Sequence, residues 1–229
     1  MTSDGSTGGG ADDAGWSSLH GGIAPSRLVR GWLSMVRVLA GGPVAHIPPD
    51  VLSAAGVLAL AGAWAAIAGP GWPAVSVPLI VVGGALDGLD GAVALATGRA
   101  RPWGAVIDSV ADRLGDLLLG ACLLALGAPP PLVLAAIALL MLLEYLRARA
   151  QSVGMPGVGA VTVAERPTRL ILVGVAAVGS AVFPAGVPGL GWGWAAMTAI
   201  IWTVVGVVGL VQLVRGIRRS IPPTFPPGR

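Results

Sequence analysis

Charge is what this 229-residue sequence has least of. Only 11% of its residues are Asp, Glu, Lys or Arg, whereas a soluble domain carries roughly 25%. That deficit, with 55% hydrophobic residues and a mean hydropathy of +0.82, excludes an ordinary water-facing globule and points to an integral membrane protein. Lysine is absent, and all 14 basic residues are arginine. Cys122 is the single cysteine, so no intrachain disulfide can form, and its apolar surroundings in sequence read as an inert buried thiol. His20 and His46 are isolated and are assigned no role. The polar, glycine-rich start, Met1 to Gly15, lacks a basic region followed by an apolar one. No signal peptide is expected there, but a disordered cytosolic tail over residues 1–25 is.

What the chain does have is long apolar runs separated by proline and glycine. Arg27, Arg30 and Arg37 alternate with Leu28, Val29, Trp32, Leu33, Val36 and Leu39, which predicts a basic amphipathic helix over 26–41 lying on a membrane face. Six apolar spans follow within 45–215. Their breaks fall at Gly69–Pro73, Gly98–Trp103, Pro129–Pro131, a polar loop from Gln151 to Arg169, and Pro184–Trp194. The expected fold is therefore all-α and integral to the membrane. Six transmembrane helices follow one interfacial helix, and a short cytosolic tail spans 216–229. The 36 glycines permit close helix contacts in lipid.

The arginines set the expected orientation. Arg99, Arg101, Arg147, Arg149, Arg166, Arg169, Arg215, Arg218 and Arg219 fall at alternate ends of the spans, and the intervening links hold none. The positive-inside rule then puts both termini in the cytosol of a multi-pass cell-membrane protein. Trp72, Trp192 and Trp194 fall at the opposite interface. The lipid bilayer is the expected partner; nucleic acid is not.

Against that background four carboxylates stand out. Asp87 and Asp90 are spaced i, i+3, and Asp108 and Asp112 are spaced i, i+4, so each pair shares a helix face. Carboxylates inside apolar spans are costly unless paired, metal-bound or facing a wet cavity. An oxygen-only ligand set without His or Cys favours Mg²⁺, with Mn²⁺ as the alternative, and four carboxylates suit two ions. Such a pair of ions can clamp a diphosphate between attacking and leaving oxygens. Gly91 and Gly104 remove side chains where a ligand would approach closely. Asp116 and Arg113 read as an intramembrane ion pair, and Glu144 as a solvated or arginine-paired end residue.

The string D87-x2-D90-G91-x2-A94, then G104-x3-D108-x3-D112, resembles the signature of the CDP-alcohol phosphotransferase (CDP-alcohol phosphatidyltransferase) family. The resemblance implies a six-helix membrane enzyme, a homodimer, that moves a phosphatidyl group from CDP-diacylglycerol to an alcohol and releases CMP in phospholipid biosynthesis. It implies that Asp87, Asp90, Asp108 and Asp112 ligate metal and that Asp112 is the catalytic base. It further implies that Asp50, Val51, Leu52, Ser53, Gly91, Ala94, Arg101 and Gly104 bind the CDP-lipid. The strings Y145-L-R-A-R and E165-R-P-T-R resemble actinobacterial phosphatidylinositol phosphate synthases. In that pattern Arg147, Arg149, Arg166 and Arg169 bind the phosphate of a small phosphorylated acceptor, inositol phosphate ahead of glycerol phosphate. One position departs: the family's usual arginine after Ala94 is Leu95, and Arg99 or Arg101 is expected to reach the same phosphates. Two other readings stay open, an ion- or proton-coupled transporter using the carboxylates as a pathway, and a catalytically degenerate relative.

Overall fold

The computed structural model describes residues 42–157 and 159–221. The expected interfacial helix at 26–41, the tail at 1–25 and His20 lie outside the described residues. A short 3₁₀ turn, Pro43–His46, leads into six helices: α1 Pro49–Ala68, α2 Pro73–Ala96, α3 Pro102–Ala125, α4 Pro130–Ser152, α5 Arg166–Val182 and α6 Trp194–Ser220. There are no strands among the described residues. Proline occupies the first turn of α1 through α5, where its missing N–H has no helical partner to lose and its fixed φ favours the helix. The chain thus marks its own helix starts.

Two boundaries differ from the sequence expectation. The polar loop ends sooner than Arg169, because α5 begins at Arg166 with Pro167 in its first turn. Arg166 and Arg169 are therefore helical residues on successive turns. At the other end, α6 continues to Ser220, five residues into the segment expected as tail. Arg218 and Arg219 lie in its last turn, where cations complement the helix dipole.

α1, α2, α4 and α6 are long and apolar enough to cross a membrane. α3 carries Asp108, Asp112, Arg113 and Asp116, and α5 has 17 residues. Large apolar side chains cover the outside, among them Leu58, Val81, Leu134, Ile171 and Val204. That apolar exterior is what lipid, unlike water, accepts.

Short links at 69–72, 97–101 and 126–129 make successive helices antiparallel neighbours. The bundle consequently has two unlike ends. One half is an apolar core of Leu60, Leu119, Leu123, Val133, Val173 and the fully buried Trp202. The other half gathers the ionisable residues of α2, α3, α4 and α5. α1 and α2 approach closely at Gly56 and Gly83: a Cβ on either would lie 3.2 Å from the other's carbonyl oxygen, and one on Gly83 would also lie 2.8 Å from Leu60. Small residues at such a crossing allow the backbone approach that drives helix association in lipid.

The 153–165 segment is tied down on both sides. Arg147 of α4 donates to Glu165 at 2.9 Å, and the same carboxylate oxygen accepts from the Thr162 N–H at 2.9 Å and its hydroxyl at 3.0 Å. Val163 N–H donates to Gln212 of α6 at 2.9 Å. Glu165 immediately precedes α5, so these bonds fix where Arg166 enters the bundle.

Two outcomes follow from this packing. Gly83→Ala should destabilise by about 1–3 kcal/mol, the usual cost of overpacking a filled crossing, seen as a lower melting temperature of detergent-solubilised protein. Gly174→Ala, with nothing within 4 Å of its Cβ, should not lower melting and should raise it slightly, since alanine is favoured over glycine inside a helix. Burial raises the pKa of Glu165, but Arg147 and the Thr162 donors override it and hold the carboxylate below its ordinary 4.5. A carboxylate whose folded pKa is depressed stabilises fully above its unfolded pKa and loses that contribution as pH falls through the folded one. The melting difference between wild type and Glu165→Gln should therefore be largest near neutrality and shrink as pH is lowered below 4.5.

Candidate active site

The ionisable half of the bundle is built around the α2–α3 hairpin. One helical turn separates Asp87 from Asp90 and Asp108 from Asp112, so each pair projects from one side of its helix. Carboxylate oxygens of Asp87, Asp108 and Asp112 lie within 4.8 Å of one another. Adjacent oxygens around octahedral Mg²⁺ are about 3.0 Å apart at ~2.1 Å per bond, so this trio would hold one hard divalent cation after its side chains close by up to about 2 Å. Zinc's nitrogen and sulfur donors are absent from the trio.

Asp90 does not join the trio. It is buried, with Oδ2 accepting from the Ser53 hydroxyl of α1 and Oδ1 accepting from the Gly91 N–H at 2.6 Å. Ser53 also faces its own helix carbonyl at Pro49, 3.2 Å away. The fourth carboxylate thus links α1 to α2 beside the cluster, with its oxygens already engaged.

Cations hold the acidic groups in place. Arg166 spans two helices, donating to Asp112 of α3 and forming an ion pair with Asp87 of α2 at 2.9 Å. Arg113 lies 3.5 Å from Asp112, 3.3 Å from Asp116 and 3.4 Å from Glu144. Asp116 is fully buried and pairs with Arg169 at 3.2 Å. Asp116 therefore has arginines from two helices rather than one. Glu144 contacts Arg113, Arg147 and Arg169. Among the described residues seven carboxylates, Asp87, Asp90, Asp108, Asp112, Asp116, Glu144 and Glu165, share this layer with four guanidiniums, those of Arg113, Arg147, Arg166 and Arg169. The two that pair with none of the four, Asp90 and Asp108, sit on the hairpin.

A cavity of about 800 Å³ opens beside the hairpin, within the range of small-molecule sites. Asp90 and Asp108 line one part of it; Pro49, Asp50 and Ser53 of α1 line another; Leu95, Arg99 and Arg101 lie along the α2–α3 link. Gly98 turns that link with φ +66, a left-handed conformation that favours glycine. Gly91, Ala94 and Gly104 also line the cavity. Of the residues expected at the CDP-lipid, six converge here. Val51 and Leu52 do not: Val51 points outward, and Leu52 packs against Leu89 and Val93. Helical geometry separates them, since Asp50 and Ser53 share a face at i, i+3 while the two residues between point elsewhere.

Arg101 is paired with Asp50 across the cavity mouth. Arg99 makes only a 3.4 Å contact to the Ala45 carbonyl. His46, given no role from sequence, also lines the cavity. Only the 3₁₀ turn before α1 brings it there, and no sequence spacing could have indicated that.

The four arginines expected at an acceptor phosphate divide. Arg166 touches the carboxylate cluster, Arg147 lies beside it bonded to Glu165, and Arg149 is exposed near Ser152. Arg169 is 2% exposed and held by Asp116. Its surroundings make it an internal counter-ion joining α5 to α3, not a surface group. The expectation of a loop over this stretch concealed that, because the one-turn step from Arg166 to Arg169 exists only once α5 starts at 166.

Comparison with known proteins bears on the chain as a whole. Residues 46–212 match the CDP-alcohol phosphatidyltransferase family. The phosphatidylinositol phosphate synthase of Mycolicibacterium smegmatis is 34% identical over 196 residues, 77% of this chain and 80% of that protein. The archaetidylinositol phosphate synthase of Aeropyrum pernix is 41% identical over 95 residues, 40% of this chain and about half, 49%, of that protein. Among solved structures, Mycobacterium tuberculosis phosphatidylinositol phosphate synthase with CDP-DAG bound superposes with a TM-score of 0.60 at 27% identity, covering 87% of this chain and 96% of that one. The same enzyme in complex with manganese and citrate gives 0.61, at 27% identity over 86% and 95% of the two chains. An apolar helical bundle, an acidic hairpin beside a cavity and this match over most of the chain lead to one conclusion: the chain belongs to the CDP-alcohol phosphatidyltransferase family and is a transferase.

Proposed function

We propose that the chain transfers the phosphatidyl group of CDP-diacylglycerol to a hydroxyl of a small phosphorylated polyol, inositol phosphate ahead of glycerol phosphate, with release of CMP. The observation that carries this reading is the junction of the cavity with the acidic hairpin: Asp90 and Asp108 line the cavity, and Asp108 also belongs to the trio with Asp87 and Asp112. A CDP-lipid lying in the cavity has its diphosphate beside the carboxylates. The acceptor comes from the side of Arg166.

In this reading Asp87, Asp108 and Asp112, with Asp90 beside them, would hold one or two Mg²⁺ or Mn²⁺ ions, and bound ions would neutralise the diphosphate and stabilise the leaving oxygen. The chain's own groups do the rest. Asp112 accepts the proton of the acceptor hydroxyl, whose oxygen bonds to the lipid-linked phosphorus as the bond to the CMP oxygen breaks. Arg166, Arg147 and Arg149 orient the acceptor phosphate, which guanidinium forks match well. Arg169 and Asp116 fix the height of α5 against α3. Asp50, Ser53, Gly91, Ala94, Arg101 and Gly104 shape the nucleotide side. Arg99 lies on the same wall as Leu95 and supplies the cation that Leu95 does not.

The same reading has all six helices crossing the cell membrane, a homodimer, and the site facing the cytosol. Its support is the placement of Arg99, Arg101, Arg147, Arg149, Arg215, Arg218 and Arg219 at the end that holds the site, and the exposure of Trp72 and Trp192 at the other. Family membership favours transfer over ion transport for the carboxylates.

The test is CMP release from CDP-diacylglycerol by purified protein with Mg²⁺, across inositol phosphate, glycerol phosphate and free inositol. Release is expected with a phosphorylated acceptor, and Asp112→Asn should lower it 10²–10⁴-fold, the range for losing a general base. No CMP with any acceptor sinks the proposal. Leu95→Arg should change the rate by less than about tenfold, equivalent to 1.4 kcal/mol. A larger gain would show that Arg99 does not substitute.

A further inference from the structure

Arg166 stands where a cation bound to the hairpin would stand. Its guanidinium bridges Asp87 at 2.9 Å and Asp112, two of the three carboxylates that converge within 4.8 Å. Both oxygens of Asp112 face guanidinium groups, Oδ1 that of Arg166 and Oδ2 that of Arg113 at 3.5 Å. An ion taking Asp112 as a ligand therefore competes with both for the same carboxylate. Arg113 is anchored elsewhere, by Asp116 and Glu144, whereas among the described residues Arg166 has no carboxylate partner beyond the cluster.

The space around Arg166 is shaped for it. Gly115 of α3 lies against the guanidinium: a Cβ there would be 2.8 Å from Arg166 Nη2 and 3.5 Å from Cζ. A side chain at 115 would push the guanidinium off its seat. The backbone end of Arg166 is meanwhile fixed, because Glu165, the preceding residue, is bonded to Arg147 and Thr162. The result is a long side chain with a fixed root and a displaceable head.

We propose that Arg166 is an exchangeable counter-ion: it seats between Asp87 and Asp112, a divalent cation entering the cluster displaces it, and the freed guanidinium completes the binding site for the phosphate of the acceptor. This rests on the reading of Asp87, Asp108 and Asp112 as the cation site. No covalent step is involved, only exchange of one cation for another on the same oxygens. Cation and acceptor phosphate then bind with mutual reinforcement, since each favours the state in which Arg166 has left the carboxylates, and such coupling is reciprocal. The acceptor is engaged once the charge that activates its hydroxyl is in place.

The test uses full-length protein in detergent, with free Mn²⁺ followed by electron paramagnetic resonance. Arg166→Gln removes the competitor and should tighten Mn²⁺ binding about tenfold, within the usual span of coupling between sites. Gly115→Ala keeps every charge and crowds the guanidinium, and also Leu60 Cδ1 at 3.0 Å, so in variant protein whose melting temperature matches wild type it should tighten Mn²⁺ binding in the same direction. Inorganic phosphate should bind wild type more tightly with Mg²⁺ than without, and Arg166→Gln should lose that difference. Mn²⁺ binding that is equal or weaker in Gly115→Ala overturns the exchange, and so does phosphate affinity in wild type indifferent to Mg²⁺. Wild-type protein that binds no Mn²⁺ overturns the metal reading itself, an outcome distinct from either.

Discussion

The structure depends on reconciling buried charge with an apolar surround. A carboxylate at the centre of a bilayer costs at least ~2.5 kcal/mol even by the lenient insertion scales, and α2 and α3 together carry five. The fold meets that cost by concentrating the charges in one half of the bundle and interleaving them with arginines from α3, α4 and α5. Removing one partner from such a set would leave the other unpaired, which costs more than the pair contributes. The network therefore fixes relative helix positions. Asp116 with Arg169 and Arg113, and Glu144 between three arginines, hold α3, α4 and α5 at one level.

That arrangement leaves an excess of negative charge in one place, the α2–α3 hairpin, and puts a cavity beside it. The deeper ion pairs are closed on themselves, while Asp87 and Asp112 of the hairpin share the Arg166 guanidinium. Structural and chemical roles are thus sorted by depth and by how many partners each group has. Asp116, with the same chemistry as Asp112 and one helical turn away, belongs to the scaffold because both its neighbours are committed arginines. Asp112 instead converges with Asp87 and Asp108.

Much of this was legible beforehand for physical reasons. Helix starts were written in proline, because a first-turn proline loses no hydrogen bond. The acidic pairs were readable because i, i+3 and i, i+4 spacing needs only a helix to make a face. Contacts between distant segments were not readable. Asp90 turning to Ser53, Arg101 closing on Asp50 and His46 reaching the cavity each depend on how α1 packs against the hairpin, and no local spacing encodes that. The start of α5 was missed because glycine, glutamate and arginine near a proline read as loop, whereas Glu165 and Pro167 in fact begin a helix there.

The sequence by itself determined the all-helical class, the apolar exterior, the end of the bundle that carries charge and the oxygen-only character of the acidic cluster. Each follows from composition or from helical periodicity, which act over a few residues. Only the tertiary structure decided which carboxylates converge and which arginine meets each of them. Those outcomes depend on distances between helices, which set Arg169 on the buried Asp116 and Arg166, one turn earlier, on Asp87 and Asp112.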